Sequence, residues 1–280
     1  MTSPFPYNYH SHSKYCDGAH QLEDYIIACI DKGYQSYGFS SHAPIPGGSV
    51  WNMKIERLDT YLKEVDRLIE KYQGQIEIFK SLEVDYLDGI QGPSTYSHLL
   101  DYTIGSIHFI GRGARPDLFE IDGPYSKFLN GLVRHYDNHL RAAVEHYFEL
   151  SIQMIKNDPP DILGHADKII SHAFKYDKNI LESLWYIEIL NEFTNTLEQS
   201  DVIVEINTKG LRLSQQPTTY PHISFLHILK DKNIRFQLNA DVHKISDLDI
   251  GYQATLELIK GLGIRELWIR ENAEWKAKSI

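Results

Sequence analysis

Short runs rich in β-branched and aromatic residues alternate along the chain with longer stretches in which apolar residues recur at the helical period. Short apolar runs bounded by turn residues favour strands, whereas apolar residues three and four positions apart favour amphipathic helices. Strands are predicted at residues 7–10, 36–40, 76–84, 102–107, 161–164, 202–206 and 234–240. Helices are predicted between them, at residues 22–32, 55–72, 125–156, 179–197, 223–230 and 250–260.

This alternation predicts an α/β protein built around a parallel sheet, because repeated strand–helix units usually place their strands parallel. Seven strands, or eight if residues 265–269 also pair, suit a closed or distorted barrel better than a small open sheet. The segment 125–156 is long enough for two helices, which leaves room for an insertion there. No linker interrupts the pattern, and we expect a single domain over residues 1–280.

Composition narrows the class of protein. A chain of 280 residues with 42% hydrophobic residues can bury a full core, and its formal net charge of -10 favours small-molecule partners over nucleic acid. The two cysteines, Cys16 and Cys29, are too few for a disulfide framework and suggest a reducing compartment. The first residues lack a signal-peptide pattern, and no apolar run approaches the ~18 residues of a membrane span. We therefore expect a cytoplasmic protein without membrane contact.

Histidines and carboxylates follow the predicted strands at their carboxyl ends. His10 and His12 are two residues apart after the first strand, so both imidazoles point the same way and can bind one metal ion. Asp241 and His243 repeat this spacing after the last strand. The strands between contribute four more candidates, which are His42, Glu83, His108 and His165. Because the strand ends of a barrel share one rim, we expect these side chains to converge on a metal site.

Other candidates near these positions carry a weaker signal. Asp17 adds a carboxylate in the loop after the first strand, although an Asp-Gly turn alone would explain it. His135 and His139 have the i, i+4 spacing of a zinc site, but a solvated helix face explains them better because no third ligand accompanies them. His20 lies close to Asp17, and whether it joins the site stays open.

The ordered motifs resemble those of the polymerase and histidinol phosphatase family, usually called the PHP family. They read His10-Ser-His12, Tyr-Cys-Asp17-Gly, Ser-Ser-His42-Ala-Pro, Leu-Glu83-Val-Asp, Gly-Ser-Ile-His108-Phe, Leu-Gly-His165-Ala-Asp and Asp241-Val-His243. Within the family, residues 41–44, 105–109 and 205–212 are most similar to histidinol-phosphate phosphatases. The family commonly has Gly-Ser-Asp-Ala-His at the last strand, where this chain has Asn-Ala-Asp-Val-His. The resemblance implies a distorted (β/α)7, TIM-like barrel of PHP type.

The resemblance also implies three divalent metal ions. One would bind His10, His12, Glu83 and Asp241, a second Glu83, His108 and His165, and a third Asp17, His42 and His243. A shell of imidazoles and carboxylates suits Zn²⁺, Fe²⁺ or Mn²⁺ better than Mg²⁺ or Ca²⁺. Such ions neutralise a phosphate monoester and supply hydroxide as the nucleophile. The implied activity is phosphomonoester hydrolysis, with L-histidinol phosphate of histidine biosynthesis as the first candidate substrate.

Further residues are expected to contact that substrate. Arg212 is the first candidate for the phosphate, followed by Lys168 and Arg115, because a guanidinium or ammonium group complements phosphate oxygens. Asp85 and Phe109 are candidates for the ammonium and imidazole groups of histidinol phosphate.

Asp241 and His243 are also predicted to take part in catalysis. Departure of the alkoxide requires a proton at the bridging oxygen. Asp241 or a water held by the metals could supply this proton, and the sequence leaves both open.

Other functions compete with this interpretation. An amidohydrolase-type barrel also begins with His-x-His, but it often bridges its metals with a carbamylated lysine, whereas the third strand here offers Glu83. A nuclease or proofreading module would need a basic track for a polynucleotide, which this acidic chain lacks. A regulatory protein that kept the barrel without turnover is disfavoured because all the candidate ligands are retained.

Overall fold

The computed structural model describes residues 2–111, 118–213 and 218–280, except the side chains of residues 212 and 213. In chain order the strands are β1 (Tyr7–Asn8), β2 (Ser36–Phe39), β3 (Glu77–Asp85), β4 (Tyr102–Ser106), β5 (Phe109–Ile110), β6 (Phe119–Glu120), β7 (Ile162–Leu163), β8 (Ile203–Asn207), β9 (Arg235–Asn239), β10 (Glu266–Glu271) and β11 (Glu274–Ser279). Seven of them form one sheet in the order β1-β2-β3-β4-β7-β8-β9. Every neighbouring pair in this sheet is parallel.

Helices connect these strands. In chain order they are α1 (Leu22–Asp31), α2 (Leu58–Lys71), α3 (Tyr125–Tyr136), α4 (Leu140–Asn157), α5 (Ile170–Tyr176), α6 (Leu184–Glu198), α7 (Lys209–Leu213), α8 (Ile223–Leu229) and α9 (Tyr252–Leu262). Helix α2 shows why the sequence folds in this way, because its buried residues Tyr61, Val65 and Leu68 recur at helical spacing. This apolar stripe packs on the barrel, and the charged residues between face away.

The sheet is closed into a barrel by contacts between the segments that follow β1 and β9. Ser11 and Val242 form a parallel bridge. The backbone N–H of His12 donates to the Val242 carbonyl at 2.7 Å, and the Val242 N–H donates to the His10 carbonyl at 3.0 Å. The distorted seven-stranded barrel predicted from the sequence is thereby confirmed.

The structure decides two questions that the sequence pattern left open, the number of helices at residues 125–156 and the presence of an eighth barrel strand. The segment predicted as helical at 125–156 is two helices, and Asp137 and Asn138 separate them with φ angles of 48° and 64°. Short polar residues tolerate this left-handed conformation better than most. The possible eighth barrel strand is wrong, because β10 pairs antiparallel with β11 in a separate two-stranded sheet.

Several short elements had no signal in the sequence pattern. Strands β5 and β6 form an antiparallel pair of two residues each, directly after β4. Helices α5 and α7 span seven and five residues. A helical period is not visible over so few positions.

A single hydrophobic cluster includes residues from every strand of the barrel sheet. Its members on the strands are buried on both faces of the sheet, as expected for parallel strands covered by helices. Within the described residues, no helix combines the length and the apolar character needed to cross a membrane.

Candidate metal centre

The residues predicted for the metal site lie together at the carboxyl end of the barrel strands. Those that are at most 5% exposed are His10, His12, His42, Glu83, His108, His165 and Asp241. Asp17 and His243 lie at the rim, with side chains 32% and 15% exposed. The structure thus brings together residues separated by more than 200 positions, because parallel strands end at the same edge.

Glu83 is the centre of this cluster. Its Oε2 lies 3.2 Å from His10 Nε2 and 2.9 Å from His42 Nδ1. Its Oε1 lies 2.9 Å from His165 Nε2 and 3.6 Å from His108 Nε2. One carboxylate therefore reaches imidazoles from four different loops, as a ligand bridging two cations would.

A second group of candidate ligands lies closer to solvent and consists of His12, Asp17, His42 and His243. One ligand atom from each lies within 4.8 Å of the others. Asp17 Oδ1 is 3.8 Å from both His12 Nδ1 and His42 Nε2, and Asp17 Oδ2 is 3.3 Å from His243 Nε2. Burial raises the pKa of Asp17, but the surrounding imidazoles outweigh burial and hold this pKa well below its ordinary value. The carboxylate is therefore ionised at neutral pH and suited to a cation.

Asp241 connects the two groups. Its Oδ1 lies 3.8 Å from His10 Nε2 beside Glu83, and 3.0 Å from His12 Nε2 and 3.3 Å from His243 Nδ1 in the second group. Its φ of 49° falls in the left-handed region, which costs a non-glycine residue about 1–3 kcal/mol. Backbone strain of this kind is concentrated at functional sites, where the surrounding structure holds it in place.

Buried atoms without a partner test whether the cluster fits a metal ion. Among the described residues, His10 Nε2, His42 Nδ1 and Glu83 Oε2 are buried and make no hydrogen bond. Glu83 Oε2 lies within 3.2 Å of both nitrogens, but the angles do not suit a hydrogen bond. An unsatisfied buried polar atom costs about 1–3 kcal/mol, so such atoms normally find a partner. Divalent cations among these atoms would satisfy all three, and a set of imidazole and carboxylate donors fits Zn²⁺, Fe²⁺ or Mn²⁺.

Asp85 lies behind His108. Its Oδ1 accepts a hydrogen bond from His108 Nδ1 at 2.8 Å, and its Oδ2 accepts one from Asn52 Nδ2 at 3.1 Å. Burial lowers the pKa of His108, but the carboxylates of Asp85 and Glu83 outweigh burial and raise it to about 9. Asp85 therefore orients His108, and the substrate contact predicted for it stays a prediction.

Glu205 has no role in the sequence prediction, although it is buried in the middle of the site. Its Oε1 accepts a hydrogen bond from His10 Nδ1 at 2.7 Å, and its Oε2 accepts one from the His165 backbone N–H at 2.8 Å. Asn207 and Asn239 donate further hydrogen bonds to its carboxylate. A carboxylate within the otherwise apolar run Ile-Val-Glu-Ile was the signal that could have revealed it.

Two further residues predicted to contact the substrate are buried. Lys168 is 2% exposed, and its Nζ lies 3.2 Å from Asp122 Oδ2. Phe109 is also buried, and its ring stacks on Trp51. Arg115 lies outside the described residues, as does the side chain of Arg212. The phosphate contacts predicted for Arg115, Arg212 and Lys168 therefore stay predictions, as does the substrate contact predicted for Phe109.

His20 lies at the edge of the site. Its ring packs against Tyr25 with centroids 5.7 Å apart. Among the residues that the structure describes, His20 belongs to none of the groups that could hold a metal ion.

A cleft of about 320 Å³ opens above the cluster. Besides the candidate ligands, Trp51, Glu120, Asp122, Gly123 and Lys209 line it. None of these was singled out from the sequence. Lys209 brings a cation to the site, since its Nζ lies 3.2 Å from Asp241 Oδ1 and 3.3 Å from His243 Nε2.

A parallel barrel with imidazoles and carboxylates clustered at the carboxyl ends of its strands defines a metal-dependent hydrolase of the barrel type. The chain belongs to the PHP family, since the model of the PHP domain matches residues 8–209.

Similar proteins cover nearly the whole chain. The probable histidinol-phosphatase of Schizosaccharomyces pombe is 26% identical over 95% of this chain and 90% of its own length. The histidinol-phosphatase of Bacillus subtilis is 25% identical over 89% of this chain and 97% of its own. A solved structure of histidinol phosphate phosphatase from Lactococcus lactis, in complex with zinc, L-histidinol and phosphate, superposes with a TM-score of 0.71. It is 19% identical and covers 96% of this chain and 98% of its own, and this likeness supports the fold.

Proposed function

We propose that this protein is a metal-dependent histidinol-phosphate phosphatase, which hydrolyses L-histidinol phosphate to L-histidinol and phosphate in histidine biosynthesis. The observation that carries the proposal is the carboxylate of Glu83, buried among five imidazoles at distances of 2.9–3.6 Å. The two whole-length relatives bear the name histidinol-phosphatase.

Three divalent ions are proposed, with the ligand sets predicted from the sequence. The first set is His10, His12, Glu83 and Asp241, the second Glu83, His108 and His165, and the third Asp17, His42 and His243. Close contacts within the second and third sets support the proposal, since His108 Nε2 lies 3.2 Å from His165 Nε2 and Asp17 Oδ2 lies 3.3 Å from His243 Nε2. His12 lies within reach of the third set as well as of the first. When bound, such ions lower the pKa of water and neutralise the charge of a phosphate monoester. Zinc, iron and manganese all suit these donors.

Lys209 and Asp241 have different roles in this proposal. Lys209 is placed to bind the phosphoryl group, because its ammonium lines the cleft beside Asp241 and His243. Burial raises the pKa of Asp241, but Lys209 and His10 outweigh burial and hold it well below its ordinary value. Asp241 is therefore ionised and serves as a ligand, and the proton for the leaving alkoxide comes from water in the site rather than from Asp241.

The net charge bears on the substrate class, and the presence of only two cysteines bears on the location. The net charge of -10 favours a small phosphate ester over a polynucleotide. We propose a cytoplasmic protein that binds neither nucleic acid nor membranes. The bridging position holds Glu83 rather than a lysine, which favours phosphoester over amide hydrolysis.

The proposal is tested by incubating the metal-loaded protein in parallel with L-histidinol phosphate, p-nitrophenyl phosphate, a cyclic amide and a single-stranded oligonucleotide. We expect phosphate release from histidinol phosphate with the highest kcat/KM of the set. Hydrolysis of the amide alone, or salt-sensitive trimming of the oligonucleotide without phosphate release, would refute it.

A further inference from the structure

Trp51 and Glu120 form a wall of the cleft that no predicted role explains. Trp51 follows β2 and Glu120 lies on β6, so the two come from loops on different barrel strands. Trp51 Nε1 donates a hydrogen bond to Glu120 Oε1 at 3.2 Å. The indole also stacks on the buried ring of Phe109, with centroids 5.4 Å apart and an angle of 5° between the planes. These two contacts hold the indole in one orientation at the edge of the site.

The same indole contacts two of the candidate metal ligands. Its centroid lies 4.5 Å from the ring of His42 and 5.3 Å from the ring of His108. Lys209 instead contacts Asp241 and His243. The Lys209 ammonium and the Trp51 indole thus adjoin different residues of the cluster. A substrate bound over the cluster would contact both.

One carboxylate oxygen of Glu120 is available to bind a cationic group of a ligand. Its Oε1 accepts from Trp51, and its other oxygen has no hydrogen-bond partner among the residues that the structure describes. The second carboxylate of this wall, Asp122, is already paired with Lys168, whose Nζ lies 3.2 Å from its Oδ2. Glu120 is therefore the carboxylate available to a ligand.

From this arrangement we propose that Trp51 and Glu120 form the subsite for the leaving group, which selects phosphate esters whose alcohol carries a cationic nitrogen and a flat ring. The inference rests on the proposed phosphatase function and names what that site recognises. A carboxylate binds an ammonium or imidazolium by a charge-assisted hydrogen bond, and an indole face favours a cation or a second ring. L-Histidinol phosphate has this chemistry, because its alcohol bears both an amine and an imidazole.

The test uses the metal-loaded full chain and the variant Glu120→Gln, which keeps an acceptor for the indole N–H but loses the charge. Two substrates are compared, L-histidinol phosphate and p-nitrophenyl phosphate, whose leaving group has no cation. We expect the ratio of their kcat/KM values to fall about tenfold in the variant, mostly through KM for histidinol phosphate. The matched control is Glu70→Gln on the exposed side of α2, in which the ratio should stay at the wild-type value.

A second readout follows binding directly. L-Histidinol is titrated as an inhibitor of p-nitrophenyl phosphate hydrolysis, and its inhibition constant should rise about tenfold in Glu120→Gln and also in Trp51→Leu. Equal losses on both substrates, or an unchanged inhibition constant, would overturn the subsite while leaving the phosphatase function in place. Absence of histidinol phosphate turnover in the wild-type protein would overturn the proposed function, and the subsite with it.

Discussion

The two ends of the barrel differ in the chemistry of their buried side chains. At the amino end, the hairpin β10–β11 covers the strands and its backbone bonds to them: Asn272 N–H donates to Glu77 Oε1 at 3.0 Å. Arg270 N–H donates to the hydroxyl of Tyr9 at 2.8 Å. Only isolated side-chain nitrogens of this hairpin, Arg270 Nε and Trp275 Nε1, are buried without a hydrogen-bond partner among the described residues. At the carboxyl end, His10 Nε2 and Glu83 Oε2 are buried without hydrogen-bond partners among the described residues. One end is arranged for stability, whereas the other keeps ligand atoms available for cations.

The largest effect is expected from Glu83→Gln at the carboxyl end. The amide keeps the size of the side chain but loses the charge that would bridge two cations, so kcat for histidinol phosphate should fall by at least about 100-fold. Thermal unfolding and metal content are measured alongside, and the fold should persist while bound metal is reduced. His108→Ala should lower turnover to a similar extent.

Glu77→Gln provides the matched control, because Glu77 is the first residue of the same strand and lies at the opposite end. The amide oxygen can still accept from Asn272, so turnover should stay within about twofold of wild type. Similar losses in both variants would mean that the comparison between the two ends is wrong.

A smaller effect is expected from Glu205→Gln. An amide in this position would turn an NH₂ group toward one of its donors, His10 Nδ1 or the His165 backbone N–H. Loss of a carboxylate that orients a metal-binding histidine typically weakens metal affinity about 10–100-fold. Metal titration followed by activity should show this shift, with turnover recovering at saturating metal. A variant that binds metal as tightly as wild type would exclude an orienting role for Glu205.

Much of the metal site could be predicted from the sequence, because its geometry follows from topology. Once the strands are parallel, residues such as His12 and His243 must meet at one rim although they lie far apart in the chain. Contacts that depend on side-chain direction could not be predicted in this way. Asp85 follows the same strand as Glu83, yet it turns toward His108 and away from the cleft.

Two other features could not be predicted from the sequence pattern. Trp51 lies in an irregular loop, and its position at the site depends on stacking with Phe109 across two loops. The pattern at residues 265–269 correctly indicated a strand, but periodicity does not reveal the partner of a strand, and β10 pairs with β11 outside the barrel.

The smallest effect on activity is expected at the amino end. Trp275 packs edge-on against Tyr9 and Tyr102, with centroids 5.5 and 5.6 Å apart, and the Arg270 guanidinium lies 5.3 Å from its ring. Trp275→Leu should lower the free energy of unfolding by about 1–3 kcal/mol, because each aromatic pair contributes roughly 0.5–1.5 kcal/mol. Chemical denaturation measures the loss. Turnover of the folded variant should match wild type, and a parallel fall in kcat would show that the hairpin affects the site.

The central claim is that this cluster would bind divalent cations and that the protein needs them to hydrolyse histidinol phosphate. It is tested most directly by removing the metals with a chelator, restoring them stepwise, and measuring phosphate release from L-histidinol phosphate against the metal bound per chain. We expect the metal-free protein to be inactive and turnover to rise with bound metal until the cluster is filled. Full turnover in the metal-free protein, or none after complete reloading with zinc, iron and manganese in turn, would contradict the claim.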